Sequence, residues 1–275
     1  MEPVSFMVIG AQKSGTTSLA YQLAQHPQIC FSSRKEPHYF SRNENWQADL
    51  ASYHALFAPE VGQICGEGST SYTLRPQFPH TARHLYAYNP SLKLIYMVRH
   101  PVDRIESHYH HRLIQGKVSG EIEQEILAEP LYVDRSRYAF QLEPYLEYFP
   151  RNQLLLLLFE EFVAAPEATL SQIATFLGIA AEGFEGIDDQ RRNVSAQRRA
   201  PRKNWFALLR APLQSALTQR VPQKLKTFGG KLLYRPAPQR IRLPAKLQAQ
   251  LWQLLEPDVI EFEQLLGRRI EIWRR

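Results

Sequence analysis

The first two thirds of the chain alternates short apolar runs with longer segments of helical spacing. Phe6–Gly10 reads as a buried strand ending in a glycine-containing loop. Thr16–Gln25 reads as a helix, with Leu19 and Leu23 four apart and His26-Pro27 as its stop. Gln63–Glu67 is a further strand candidate. Leu92–Val98 (LKLIYMV) and Gln153–Phe159 (QLLLLLF) are near-continuous apolar runs of strand length, the pattern of strands covered on both faces. Val102–Arg112, Ser136–Phe149 and Pro166–Leu177 read as helices, the last closed by Gly178. Strands alternating with helices predict an α/β fold with a doubly wound parallel sheet flanked by helices in three layers.

The pattern changes near the C-terminus. Asn204–Val221 carries apolar residues at 205, 208, 209, 213, 216 and 217, a helical stripe with a kink expected at Pro212. Pro236, Pro238 and Pro244 bound an irregular stretch. Leu247–Leu266 closes the chain as an amphipathic helix, with a break or kink expected at Pro257.

Charge sharpens this division. From Arg191 to Lys246 there are fifteen Lys and Arg and no Asp or Glu. The rest of the chain holds eighteen basic and twenty-seven acidic residues, a balance of about −9. We therefore read 191–246 as a basic helical and loop excursion within a single domain spanning 1–275. Its charge implies an anionic partner. No nucleic-acid motif accompanies it, so nucleic acid is not expected. The stripe over 202–221 leaves three readings open: packing on the core, a lid over a substrate, or peripheral membrane contact. No apolar run approaches the roughly eighteen residues of a membrane span. The start has neither the charged nor the apolar region of a secretory leader, and Cys30 and Cys65 make no metal or redox spacing. A reducing, cytoplasmic setting is the expectation.

The candidate chemistry begins in VIGAQKSGTTSL. Gly10 and Gly15 have the spacing of a phosphate-binding P-loop, in the required context of strand, loop and helix. The lysine that should follow the second glycine is absent: Thr16 stands there, and Lys13 lies inside the loop instead. The loop amides and the helix N-terminus form an anion cradle, with Thr16, Thr17 and Ser18 adding hydroxyls. A nucleoside triphosphate site also needs a metal-binding carboxylate at a neighbouring strand end. Here that strand ends in Arg99. This combination disfavours a P-loop kinase or NTPase and suits a diphosphate-like group held without a metal. A non-catalytic anion or membrane binder is the other alternative.

QKSGTTSL resembles the 5′-phosphosulfate loop of sulfotransferases that use 3′-phosphoadenosine 5′-phosphosulfate (PAPS). RHPVDRIESHY, Arg99 to Tyr109, is similar to the second motif of that family, R-x-P-x-x-R-x-x-S-x-Y. The resemblance implies a P-loop-like fold and PAPS as co-substrate, giving 3′,5′-ADP, with no metal. Lys13, Ser14, Gly15, Thr16, Thr17 and Ser18 would hold the 5′-phosphosulfate, and Arg99 and Ser107 the 3′-phosphate. Arg104 lies in the same motif, as a ligand contact or an ordinary surface ion pair. Arg137–Phe162 and the closing helix are also similar to the family. In that family a loop before the last helix folds over the nucleotide, which makes Arg198, Arg199 and Arg202 candidates.

The chemistry implied is sulfuryl transfer to a hydroxyl or amine of an acceptor: carbohydrate, glycolipid or small metabolite. Lys13 would stabilise the leaving phosphate. RKEPHYF resembles the K-E-x-H-F-F segment of glycosaminoglycan-type enzymes, in which the glutamate is the base. Glu36 takes that role, His38 is a possible helper and Lys35 lies near the phosphosulfate. The chain departs from those enzymes at Ser41, where some have aspartate. It departs again at Gly68 and Thr70, where the motif K-[ST]-P-x-Y has lysine and proline. A heparan-like acceptor is therefore not expected. Glu67 is a possible second carboxylate, with a strand-end ion pair as its other reading. His108, His110 and His111 lack metal-site spacing and read as packed or solvated helix residues.

Overall fold

The computed structural model describes residues 3–118, 121–184 and 241–274, with the backbone of 200–201 and 234–235. Five strands, β1 (Phe6–Gly10), β2 (Ile29–Phe31), β3 (Ile64–Gly68), β4 (Lys93–Val98) and β5 (Leu154–Leu158), form a parallel sheet in the order β2-β3-β1-β4-β5. Alternation along each strand decides what each face buries. Met7, Ile9, Leu94, Tyr96, Val98, Leu154 and Leu156 point to one core. Phe6, Val8, Ile95, Met97 and Leu157 point to the other. Both sets are apolar, which is why these strands read as unbroken hydrophobic runs.

Six longer helices matter here: α1 (Thr16–Leu23), α2 (Thr81–Tyr88), α3 (Pro101–Ile114), α4 (Tyr138–Tyr148), α5 (Pro166–Leu177) and α6 (Ala245–Leu266). Leu19 and Leu23 of α1 pack with Leu170, Ile173 and Ala174 of α5 on one face of the sheet. Leu85 of α2, Leu142 and Tyr145 of α4 and Phe262 of α6 cover the opposite face. A third cluster joins Val102, Ile105 and Tyr109 of α3 to Leu247, Leu251 and Leu255 of α6. The helices following neighbouring strands β1 and β4 thus depart to opposite sides. That divergence opens a crevice at the carboxyl edge of the sheet, where ligands bind in open α/β folds.

Most boundaries shift by one to three residues from the expected ones, as helix and strand ends do. The first helix stops at Leu23 rather than Gln25. Tyr138–Tyr148 is shorter than the expected Ser136–Phe149, and β3 runs to Gly68. The break expected at Pro257 does not occur: α6 is one helix of 22 residues. Pro257 and Gln253, whose carbonyl loses its amide partner, both lie on the exposed side, while Leu251, Leu255, Val259 and Phe262 anchor the buried side. The freed carbonyl belongs to the solvent-facing side, and packing on the buried side holds the axis. The kink expected at Pro212 lies outside the described residues. Among the described residues no helix is long and apolar enough to cross a membrane.

Arg104 departs further from expectation. The surface ion pair considered for it is not formed among the described residues, because its side chain is fully buried. Its Nε donates to Ser136 Oγ at 2.5 Å and its Nη2 to the Tyr132 carbonyl at 2.7 Å. Ser136 Oγ in turn donates to the Pro101 carbonyl at 3.2 Å. Burial lowers the guanidinium pKa to about 10, still high enough to keep it charged. Arg104 therefore ties the start of α3 to the segment leading into α4.

Helix α4 is capped from a distance. Asp258 on α6 accepts hydrogen bonds from the amides of Ala139, at 3.1 Å, and Phe140, at 2.9 Å. These are first-turn donors with no partner inside the helix. Tyr138, one residue earlier, donates through its hydroxyl to the Arg99 carbonyl at 2.6 Å. Asp258→Ala is expected to cost about 1–2 kcal/mol, read as a lower midpoint in thermal or denaturant unfolding. An unchanged midpoint would show that the cap contributes nothing.

Candidate functional site

The loop after β1 is held open by three local features. The Ala11 amide donates to the Met97 carbonyl of β4 at 2.6 Å, which fixes the loop's start against the neighbouring strand. Gly15 has a left-handed backbone (φ 84°), and a Cβ there would lie 2.5 Å from the Phe159 ring. Glycine is required twice over, for conformation and for space. Lys13 also has positive φ, 75°, an uncommon conformation for a residue with a side chain. Helix α1 then begins with no side-chain cap and no acidic residue in its first turn. Its positive end is left to an anion.

Phe159 links this loop to the second motif. Its ring lies against Gly15 on one side and 5.0 Å beneath the Arg99 guanidinium on another. Arg99 follows the last residue of β4. Its Nη2 is 3.9 Å from Asp103 Oδ2, and its Nε is buried with no hydrogen-bond partner. An unsatisfied, buried, charged donor is costly, and an anion reaching it would satisfy it. Asp103 and Ser107 lie four and eight residues beyond Arg99, on one stripe of α3. Ser107 is half-buried.

Thr16, Thr17, Lys35, Glu36, Gly68 and Thr70 line one cleft of about 30 Å³, with Ala20 and Phe31 behind them. The expected base segment and the expected phosphate loop therefore meet across α1 and β3. Glu36 Oε2 accepts from Thr70 Oγ1 at 3.0 Å and lies 3.5 Å from His38 Nε2. Glu36 and His38 both have positive φ, 48° and 57°. Two side-chain-bearing residues in this region so close together are strained, and such strain persists only where surroundings enforce it. Burial, followed by the charge of Arg42, holds His38 below the ordinary histidine pKa, although Glu36 acts to raise it. At neutral pH its imidazole is predominantly uncharged.

Ser14 is fully buried, its amide donates to the Ala11 carbonyl at 3.2 Å, and its Oγ has no hydrogen-bond partner among the described residues. His108 is buried against Tyr132, and burial together with Arg104, Arg135, Arg112 and Lys13 keeps its ring neutral. Among the described residues no group of three His, Cys, Asp or Glu converges to hold a metal ion. Arg198, Arg199, Arg202 and the stripe at 202–221 lie outside the described residues.

Two contributors, Phe159 and Arg135, carry no motif in the sequence. Phe159 reads there only as the end of a strand. Arg135, from the segment before α4, donates to Gln12 Oε1 in the loop at 2.9 Å and to Gln77 Oε1 at 3.1 Å. Glu67, the second carboxylate considered from the sequence, is the penultimate residue of β3 and has no exposure, accepting hydrogen bonds from Ser69, Tyr53 and Tyr72. The ion pair considered for Glu67 is not formed among the described residues. Burial raises its carboxyl to about 7, against the opposing pull of these hydroxyls.

Residues 3–208 match the family model described as Sulfotransferase domain. Human heparan sulfate glucosamine 3-O-sulfotransferase 6 is 32% identical over 184 residues, covering 63% of this chain and 52% of that protein. The chain thus spans about half the length of the curated relatives it matches. A membrane-associated sulfotransferase of Dictyostelium discoideum, kil1, is 39% identical over 111 residues, covering 38% of this chain and 22% of that protein. The crystal structure of a sulfotransferase from Alicyclobacillus acidocaldarius superposes with a TM-score of 0.70 at 25% identity, over 100% of both chains. The glycine loop, the Arg99–Ser107 stripe and the parallel sheet that carries them thus occur in a chain that belongs to the sulfotransferase domain family.

Proposed function

We propose that this chain transfers a sulfuryl group from PAPS to a hydroxyl or amine of an acceptor. The observation that supports this most is the pairing, across Phe159, of an uncapped helix N-terminus with an arginine whose Nε is buried and unsatisfied. Two anionic ends of one ligand fit those positions. A 5′-phosphosulfate would sit on the amides of 13–17 with Lys13, and a 3′-phosphate at Arg99 and Ser107. The acceptor, of carbohydrate, glycolipid or small-metabolite type, would approach Glu36 at the mouth of the narrow cleft that Gly68 and Thr70 line.

The reaction follows from placement. The acceptor oxygen or nitrogen attacks the donor sulfur in line with the bond between sulfur and the 5′-phosphate oxygen. As that bond breaks, negative charge grows on the departing phosphate, where Lys13 and the positive end of α1 stabilise it. Glu36 takes the proton released by the nucleophile. The products are the sulfated acceptor and 3′,5′-ADP. Thr70 orients the Glu36 carboxylate, and neutral His38 lies against the same oxygen.

Two outcomes are expected. With EDTA present, 3′,5′-ADP at about a hundred times its Kd should stabilise the protein by about 2.7 kcal/mol, seen as a melting shift of several degrees. Lys13→Ala and Arg99→Ala should each remove most of that shift. Stabilisation by ATP–Mg²⁺ with 3′,5′-ADP inert would contradict the proposal. Glu36→Gln should lower sulfuryl transfer by about 10²–10⁴-fold with the nucleotide shift intact, and undiminished transfer would remove its role as base.

A further inference from the structure

Glu67 is a costly residue to bury, and no phosphate-binding role uses it. It lies at the carboxyl edge of β3 without exposure and without an ion-pair partner among the described residues. Tyr53 donates to its Oε1 at 3.3 Å, Tyr72 donates to the same oxygen, and Ser69 Oγ donates to Oε2 at 2.7 Å. The Ser69 hydroxyl spends its proton on Glu67, which leaves its lone pairs to accept the His38 amide at 3.0 Å. That amide belongs to a left-handed residue two positions after Glu36. The turn that starts at Ser69 also supplies Thr70, the donor to Glu36, and Ser71, whose Oγ lies 2.7 Å from His38 Nδ1 and 2.6 Å from Ser41 Oγ.

We propose that Glu67 is a positioning residue for sulfuryl transfer: through Ser69 it fixes the strained Glu36–His38 segment and the Thr70 turn against each other. A carboxylate at 67 can only accept, so it fixes the Ser69 proton toward Oε2 and leaves the Ser69 Oγ lone pairs to the His38 amide without a competing donor from Glu67. A protonated Glu67 can donate, and the direction is no longer set. This rests on the reading of Glu36 as base. It also makes turnover depend on the ionisation of a group that never touches substrate. The titratable groups that face Glu67 are Tyr53, Tyr72, Tyr88 and Glu36, with His38 beyond Ser69. Burial and the adjacent carboxylate push Tyr53 and Tyr72 far above the usual tyrosine range, so they stay protonated. Burial raises Tyr88 to about 12. With a carboxyl raised to about 7, Glu67 ionises as pH rises through neutrality, and the transfer rate should rise with it.

The test uses the intact chain and the initial rate of transfer from labelled PAPS into a mixed host extract. The 3′,5′-ADP melting shift reports the nucleotide half of the site. Ser69→Ala is expected to lower the rate at saturating PAPS by about ten- to a hundredfold, with KM for PAPS and the nucleotide shift unchanged. Glu67→Gln keeps the size and a carbonyl for Ser69 but does not ionise, so the rise in rate between about pH 6 and 8 should vanish. Ser69→Ala at the wild-type rate, or Glu67→Gln with the wild-type pH profile, overturns the inference. If Ser69→Ala shows no nucleotide shift, the near-isosteric Glu67→Gln decides alone. Glu36→Gln is run alongside. Full turnover there removes the base reading and this inference with it, whereas an inactive Glu36→Gln beside an unimpaired Ser69→Ala removes only the role of Glu67.

Discussion

The contact between Phe159 and Gly15 is the constraint on which the site depends. The ring occupies the space a Cβ would need, so the loop approaches β5 only because residue 15 is glycine. The same ring supports the Arg99 guanidinium. One aromatic side chain thus sets the spacing between two cationic positions that belong to strands β1 and β4. On the proposed reading, a ligand with an anionic group at each end would span Phe159. The sheet supplies the rest of the rigidity: β1 and β4 are adjacent, buried on both faces, and joined again by Ala11 and Met97.

The opposite rim of the crevice is built by a different logic. Here buried polar groups, not apolar packing, hold the geometry. Glu67, Ser69, Ser71 and Thr70 form a connected set beneath a pair of left-handed residues, Glu36 and His38. Aromatic rings surround the base of this set: Tyr39, Phe40, Tyr53 and Tyr72 pack edge-on or stacked with centroid separations of 4.6–6.3 Å. They exclude water from Glu67 and so raise its proton affinity. Strain at 36 and 38 is sustained because the network beneath it has few alternative arrangements.

Much of this is legible in the sequence. The parallel sheet follows from LKLIYMV and QLLLLLF, because strands covered on both faces cannot alternate with polar residues. The glycine loop between strand and helix, and the arginine that follows β4, are legible as well, since both are local features of short motifs. Other elements are not legible, for physical reasons. Pro257 does not break α6, because solvent on one side and a leucine stripe on the other override the local propensity. Arg104 reads as a ligand contact or a surface ion pair, yet tertiary packing buries it against Ser136 and Tyr132. Phe159 and Arg135 reach the loop across 144 and 123 residues of sequence, a distance no local pattern encodes.

The central claim is that the Arg99–Ser107 stripe reads a 3′-phosphate while the glycine loop holds the other end of the same ligand. Calorimetric titration in EDTA with 3′,5′-ADP and with 5′-AMP, on the wild type and Arg99→Ala, tests it most directly. The account predicts that wild type binds 3′,5′-ADP at least tenfold more tightly, about 1.4 kcal/mol, and that Arg99→Ala binds the two nucleotides alike. Equal binding of both nucleotides by the wild type would contradict it.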